Sequence, residues 1–158
     1  LFIWGNQYYL SFQPNSQKNG FEIKGDKVIL SMREESTVKQ RENYVREQYR
    51  ILLKAEIERL LPKWERLTEL YCDSWQTKYM LTRWGTCNTE KKKLWFNLQL
   101  AQKPIECLEY VILHELLHLK ERTHNSVFIS YMDLYMKDWR AVRKELNDLR
   151  LDYYNTVE

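Results

Sequence analysis

The chain has 158 residues, of which 44% are hydrophobic, 30% charged and 14% aromatic. This makeup excludes a disordered tail, a collagen-like repeat and a multi-domain chain; a domain of this size buries roughly 70% of its unfolded surface. Such a core needs no metal or disulfide staple, so a metal is expected to be functional rather than structural. The net charge of +3 and a single basic run, Lys91-Lys92-Lys93, argue against a nucleic-acid binder, and the run is expected as a solvated loop. Cys72, Cys87 and Cys107 are odd in number and form no CxxC pair. That usage fits a reducing compartment, and the cytoplasm is the expected location. No apolar run reaches the roughly 18 residues of a membrane-spanning helix. The first residue is Leu1, not Met, which is the expectation for part of a longer chain.

In chain order, Phe2 to Trp4 and Gln7 to Phe12 flank Gly5-Asn6, and Phe21 to Lys24 and Lys27 to Met32 flank Gly25-Asp26. Aromatic and β-branched runs around two-residue turn pairs predict two hairpins. From about Thr37, Tyr44, Tyr49, Leu52, Leu53, Ile57, Leu60 and Leu61 recur at helical spacing. This predicts a long amphipathic helix that ends or kinks at Pro62 and resumes over Trp64 to Tyr71. Ser74 to Leu81 then reads as a strand, Arg83 to Asn88 as a tight connection around Gly85, and Leu94 to Leu98 as a short apolar strand. Pro104 suits the first turn of a helix running to about Lys120. His124 to Met136 and Trp139 to Tyr154 read as closing helices, the second capped by Asp138. Strands and a long helix ahead of a sheet-plus-helix unit predict an α+β fold in one domain, 1–158. Its parts are N-terminal strands (1–35), a long helical segment (36–72) and a sheet with helices carrying the chemistry (73–158).

The Pro104 helix contains His114-Glu115-Leu116-Leu117-His118, an HExxH motif. Two histidines four residues apart lie on one helix face, one turn apart, where they can share a tetrahedral ion. Glu115 is rotated by about 100° from His114, so it sits beside the ion without ligating it. With three His and sixteen Glu in the chain, on the order of 0.006 chance matches are expected, whereas HExxH helices have a defined metal chemistry. His124 is the candidate third ligand. On an uninterrupted helix it would point roughly 240° away from His118, so the reading demands a chain reversal within Lys120-Glu121-Arg122-Thr123. That segment is polar but has no Gly to supply a positive φ. Cys87 is an alternative fourth ligand, which would close the site.

Three protein ligands leave a fourth position for water. Zinc brings the pKa of that water to about 7, and Glu115 is then placed to take its proton and hand it to a leaving group. One zinc per chain is expected, although imidazole ligands also accept iron, manganese or nickel. Arg83, Tyr131 and Tyr135 are candidate donors to the developing oxyanion. Ile105, Leu108, Ile112, Leu116 and Leu119 form one apolar face of the helix, and Tyr110, Leu113 and Leu117 another. Such a helix is buried, so its ligand face must open onto a cleft.

Arg83-Trp84-Gly85-Thr86-Cys87, then Leu94 to Leu100 with Asn97, then Pro104, and finally Tyr110 to Leu119 with His124 and Phe128 resemble the YgjP-like metallopeptidase family. Its pattern is an RWGSC-type turn, a short strand with Asn, a YVxxHELxHL helix and a third His followed by Phe. The resemblance implies a zincin-like fold, distantly similar to the SprT-like proteases: a small antiparallel or mixed sheet, a buried HExxH helix and flanking helices. It also implies His114, His118 and His124 as zinc ligands and Glu115 as acid/base. Thr86 stands for the usual Ser, and Ile129 where an aromatic residue often follows Phe128; neither change touches the ligands. Metzincins share the spacing of the third His, but Glu121 stands in the place of their Gly. In zincin-like folds a sheet edge beside the metal helix can bind an extended peptide by strand addition, and Leu94 to Leu98 is a candidate for that edge.

The function expected is a zinc-dependent hydrolase acting on a peptide or protein. Its rivals are a metal-dependent phosphohydrolase acting on nucleotides and a non-catalytic module that binds nucleic acid or protein. An intact Glu115 speaks against the last, because a structural site needs no general base.

Overall fold

A computed structural model describes residues 1–148 of the chain. It has a mixed α+β architecture of small sheets and four α-helices among the described residues. The chain opens with a two-stranded ribbon, β1 (Phe2–Ile3) and β2 (Asn6–Gln7). Its turn residues are Trp4 and Gly5, at φ 49° and 81°, one residue earlier than the predicted Gly5-Asn6. Docking decides the register: the Trp4 and Gly5 N–H groups donate to Ala101 and Gln102 carbonyls at 2.8 and 3.1 Å. A Cβ on Gly5 would stand 2.9 Å from Pro104 Cγ.

The second long run of that predicted hairpin forms a separate strand, β3 (Tyr9–Pro14), in parallel with β5 (Lys27–Met32). The Gly25-Asp26 hairpin forms as expected, pairing β4 (Gly20–Lys24) antiparallel to β5, in the order β3-β5-β4. Alternate β5 residues Val28, Leu30 and Met32 are buried, the period of a strand with one face on the core.

Helix α1 (Val38–Thr68) begins with a capping box, in which Thr37 and Gln40 satisfy each other's backbone N–H groups. It runs through Pro62 instead of ending there. An interior proline costs about 3 kcal/mol through its lost N–H and ring clash. Burial of Leu61, Trp64 and Thr68 around and beyond it opposes that cost. So do the bonds from Lys63 Nζ and Trp64 Nε1 to Glu109 Oε1, at 2.6 and 3.2 Å. The helix stops at Glu69, which is left-handed at φ 58°.

A second mixed sheet follows, of β6 (Ser74–Lys78), β7 (Gly85–Asn88) and β8 (Lys93–Asn97), in the order β6-β8-β7. Strand β8 is therefore central, not the edge expected of Leu94 to Leu98. Its buried Leu94, Phe96 and Asn97 explain why it reads as an apolar run. The predicted connection around Gly85 is itself a strand, and the lysine run lies at the β7–β8 turn with Lys91 and Lys92 exposed.

A 3₁₀ helix at Leu98–Gln102 leads to α2 (Ile105–Leu117), packed against α1, β7 and β8. Nine of its residues are buried: Cys107, Leu108, Tyr110 to Leu113, and Glu115 to Leu117. The chain then forms α3 (Ser126–Tyr135) and α4 (Trp139–Asp148). Helix α4 opens with the Val142 N–H bonded to the Asp138 carbonyl at 3.1 Å. The remainder of the helix predicted to Tyr154 lies outside the described residues.

Candidate metal centre

The motif occupies the inner end of α2, with His118 as its C-cap. There the helix tightens: the N–H groups of His118, Leu119 and Lys120 reach back three residues, to Glu115, Leu116 and Leu117. The reversal to His124 needs no glycine, because none of residues 118–124 has a positive φ. It is held by side chains instead. His118 Nδ1 lies 3.0 Å from the Glu121 carbonyl, and Asn125 Nδ2 donates to Glu121 Oε1 at 3.2 Å. Asn125 also caps α3, its Oδ1 accepting from the Phe128 N–H at 2.9 Å.

These constraints bring the three histidines together. His124 Nε2 lies 3.0 Å from His114 Nε2 and 3.1 Å from His118 Nε2. Nitrogens held by one tetrahedral ion at about 2.0–2.1 Å would be roughly 3.3 Å apart, so the spacing fits a metal. A carbonyl only accepts, so His118 Nδ1 carries the proton and its Nε2 presents a lone pair to the cluster. His114 Nδ1 lies 3.4 Å from Tyr110 Oη, a hydroxyl able to donate or to accept. Burial, then His118, His124 and Arg143, push the His114 pKa down to about 3. Burial also lowers that of His118. Both rings are thus neutral at ordinary pH, the form that ligates.

Phe128, buried in α3, supports all three rings, its centroid 5.1, 4.9 and 5.0 Å from those of His114, His118 and His124. Among the described residues, the metal-ligating groups that converge are His114, His118 and His124. Cys87 is outside that cluster, and burial together with the Glu115 charge raises its thiol to about 11. A closed four-ligand site with Cys87 is not what the structure forms.

Glu115 is 5% exposed, with Oε1 4.0 Å from His114 Nε2. Its Oε2 is buried with no hydrogen-bond partner. Burial pushes its carboxyl up to about 7, against the opposing effect of the Arg83 guanidinium. An unpartnered buried carboxylate oxygen is costly, and a nearby cation would offset that cost.

Gly85 explains how so tight a site is packed. A Cβ there would meet Val111 Cγ1 at 2.8 Å and Glu115 Cγ at 3.2 Å. Its role is close approach of β7 to α2, not the sharp turn expected from sequence. Arg83, Trp84 and Gly85 line a 240 Å³ cavity with His114 and Glu115, so this segment is a wall of the cleft. Asn97 fixes that wall: its Nδ2 donates to the Met80 and Arg83 carbonyls at 3.0 and 2.7 Å, and its backbone N–H to Trp84 at 3.0 Å.

Of the proposed oxyanion donors, Arg83 alone lines this cleft. Tyr131 and Tyr135 stack on each other, centroids 6.3 Å apart, and line neither cavity beside the histidines. Sequence reasoning missed Tyr110 as a partner of His114, although their i, i+4 spacing on one helix carried the signal. It also missed Arg143 of α4, which lines both cavities and has no local signal linking it to the motif.

A mixed α+β fold carrying three histidines that could hold a metal ion is consistent with a zincin-like metallopeptidase domain. The chain belongs to the YgjP-like family: the family model for the YgjP-like metallopeptidase domain matches residues 1–149. That family implies a metal-dependent hydrolase with a peptide or protein substrate. No curated protein matches the chain. No helix among the described residues is long and apolar enough to cross a membrane.

Proposed function

We propose that the chain is a single metallohydrolase domain that cleaves peptide bonds with zinc. In this reading His114, His118 and His124 hold the ion, and Glu115 is the general acid/base. The reading rests above all on the convergence of three imidazole Nε2 atoms, with the buried Glu115 carboxylate 4.0 Å from that of His114. When bound, zinc supplies Lewis-acid polarisation and an acidified water.

Glu115 takes a proton on its carboxylate and returns it to the leaving amine, and its burial keeps bulk water from competing for that proton. Arg83, on the wall that Asn97 fixes, supplies positive charge to the cleft beside Glu115. Tyr110 and the Glu121 carbonyl orient His114 and His118 through their Nδ1 atoms, the outer-shell arrangement that ligating histidines use. The free thiols fit a cytoplasmic site of action.

Metal analysis of protein purified without added metal is expected to give one zinc per chain, lost when His118 is replaced by Ala. Wild-type protein should cleave unfolded polypeptides and leave nucleoside triphosphates intact. Triphosphate cleavage without proteolysis, or full proteolysis by a zinc-free protein, would sink the reading.

A further inference from the structure

We infer that Arg143 and Arg83 form a cationic clamp that holds a carboxylate of the substrate beside the bond to be cut. This assignment rests on the metallopeptidase reading of the site. Two cavities flank the histidines. One, of 240 Å³, is lined by Arg83, Arg143, His114 and Glu115 among others; the second, of 140 Å³, is lined by Arg143, His114, His124, Phe128 and Trp139 among others. His114 and Arg143 belong to both, so a ligand spanning the ring of His114 meets the Arg143 guanidinium on either side.

Both arginines are exposed, and among the described residues neither has an ion pair or hydrogen-bond partner for its guanidinium. Elsewhere, Arg33, Arg50, Arg59 and Arg140 each hold a carboxylate. Glu115, the carboxylate in the same cavity, makes no ion pair with either of them.

The backbones beneath these head groups are nonetheless fixed. The Arg83 carbonyl accepts from the buried Asn97, and Arg143 follows the buried Val142 on α4 with Leu146 one turn on. Two unpaired guanidinium groups carried to one cavity by anchored backbones have their donors open to an oxyanion, which Arg binds bidentately. In a peptide that group is a carboxylate, at the chain end or on an Asp or Glu side chain. Phe128 and Trp139 in the second cavity then face an adjoining apolar side chain.

Binding is measured by fluorescence anisotropy on the full zinc-loaded chain carrying Glu115→Gln, which stops turnover. The probes are labelled pentapeptides in pairs: free carboxylate against C-terminal amide, and Asp or Glu against Asn or Gln. The acid member is expected to bind about tenfold to a hundredfold more tightly than its amide twin. Arg143→Gln should abolish that ratio and Arg143→Lys retain part of it, with melting curves and bound zinc unchanged. Equal binding of the twins, or a ratio that survives in the Arg83→Gln/Arg143→Gln double variant, overturns the clamp. Inorganic phosphate bound at this pair without any preference between the twins overturns it as well. Peptide cleavage without acid preference would remove the clamp and leave the peptidase; acid preference without cleavage by the Glu115 protein would do the reverse.

Discussion

The two three-stranded sheets are built alike and buried differently. Both are mixed, with one parallel and one antiparallel pair about a central strand. In the first, the central β5 buries Val28, Leu30 and Met32, but the edge strand β3 has no buried residue, and its Tyr9 and Leu10 are 71% and 51% exposed. In the second, β8 is buried under α2, and α1 packs on β6. Two cavities wider than those beside the histidines, of 590 and 640 Å³, lie beside the start of α1 and contain none of the motif residues. The candidate site therefore sits where packing is tight, not in these wider cavities. Three rings are held within ligating distance only if the helix, sheet and loop behind them cannot shift.

The contrast is testable by perturbing each region, and Glu115→Gln is the largest expected effect. General acid–base catalysis contributes roughly 10²–10⁴ in rate, so kcat should fall by about that factor while zinc content is unchanged. Phe128→Ala removes the common support of the histidines. Stability should fall by about 3–5 kcal/mol, and zinc affinity, read by competition with a chelator, by about 10–100-fold.

Gly85→Ala forces a Cβ into Val111 and Glu115. A loss of about 1–3 kcal/mol in denaturant unfolding is expected, with kcat falling because Glu115 is displaced. An unchanged kcat would show that the β7 wall does not position the carboxylate.

Asp133 gives a smaller, pH-dependent effect. The Trp139 Nε1–H bond at 2.7 Å, then Arg140, hold its carboxyl below the ordinary aspartate range. A depressed folded-state pKa adds stability that is present above the unfolded value, about 3.9, and lost as the pH falls through the folded one. Asp133→Asn should thus lower Tm at pH 6 and converge with wild type in acid. Leu10→Ser, on exposed β3, is the smallest: stability within about 0.5 kcal/mol and zinc binding unchanged. A loss of zinc there would break the distinction between the two sheets.

What could be read in advance follows from the range of the forces involved. The HExxH spacing, the apolar faces of α2, the Gly25-Asp26 hairpin and the start of α1 near Thr37 are local, set by residues within a turn or two of each other. The chain reversal after His118 was legible as a requirement, but its means was not. It depends on Glu121, Asn125 and the imidazole of His118 meeting in space, where hydrogen bonds replace the glycine that φ statistics favour. Pro62 misled for a similar reason: a local helix breaker was overridden by burial of Trp64 and by Glu109, which is distant in sequence.

By itself, then, the sequence determined the α+β class, the HExxH spacing with a third histidine after it, and the place of Glu115 beside His114, because helical periodicity alone puts His114 and His118 on one face. Tertiary structure alone decided that β8 is central and that Gly85 serves close approach. It alone excluded Cys87 from the cluster, set Phe128 beneath three rings and carried Arg143 to the cleft. Each of these depends on contacts between segments far apart in the chain, and such contacts are set by packing across the core rather than by the preferences of neighbouring residues.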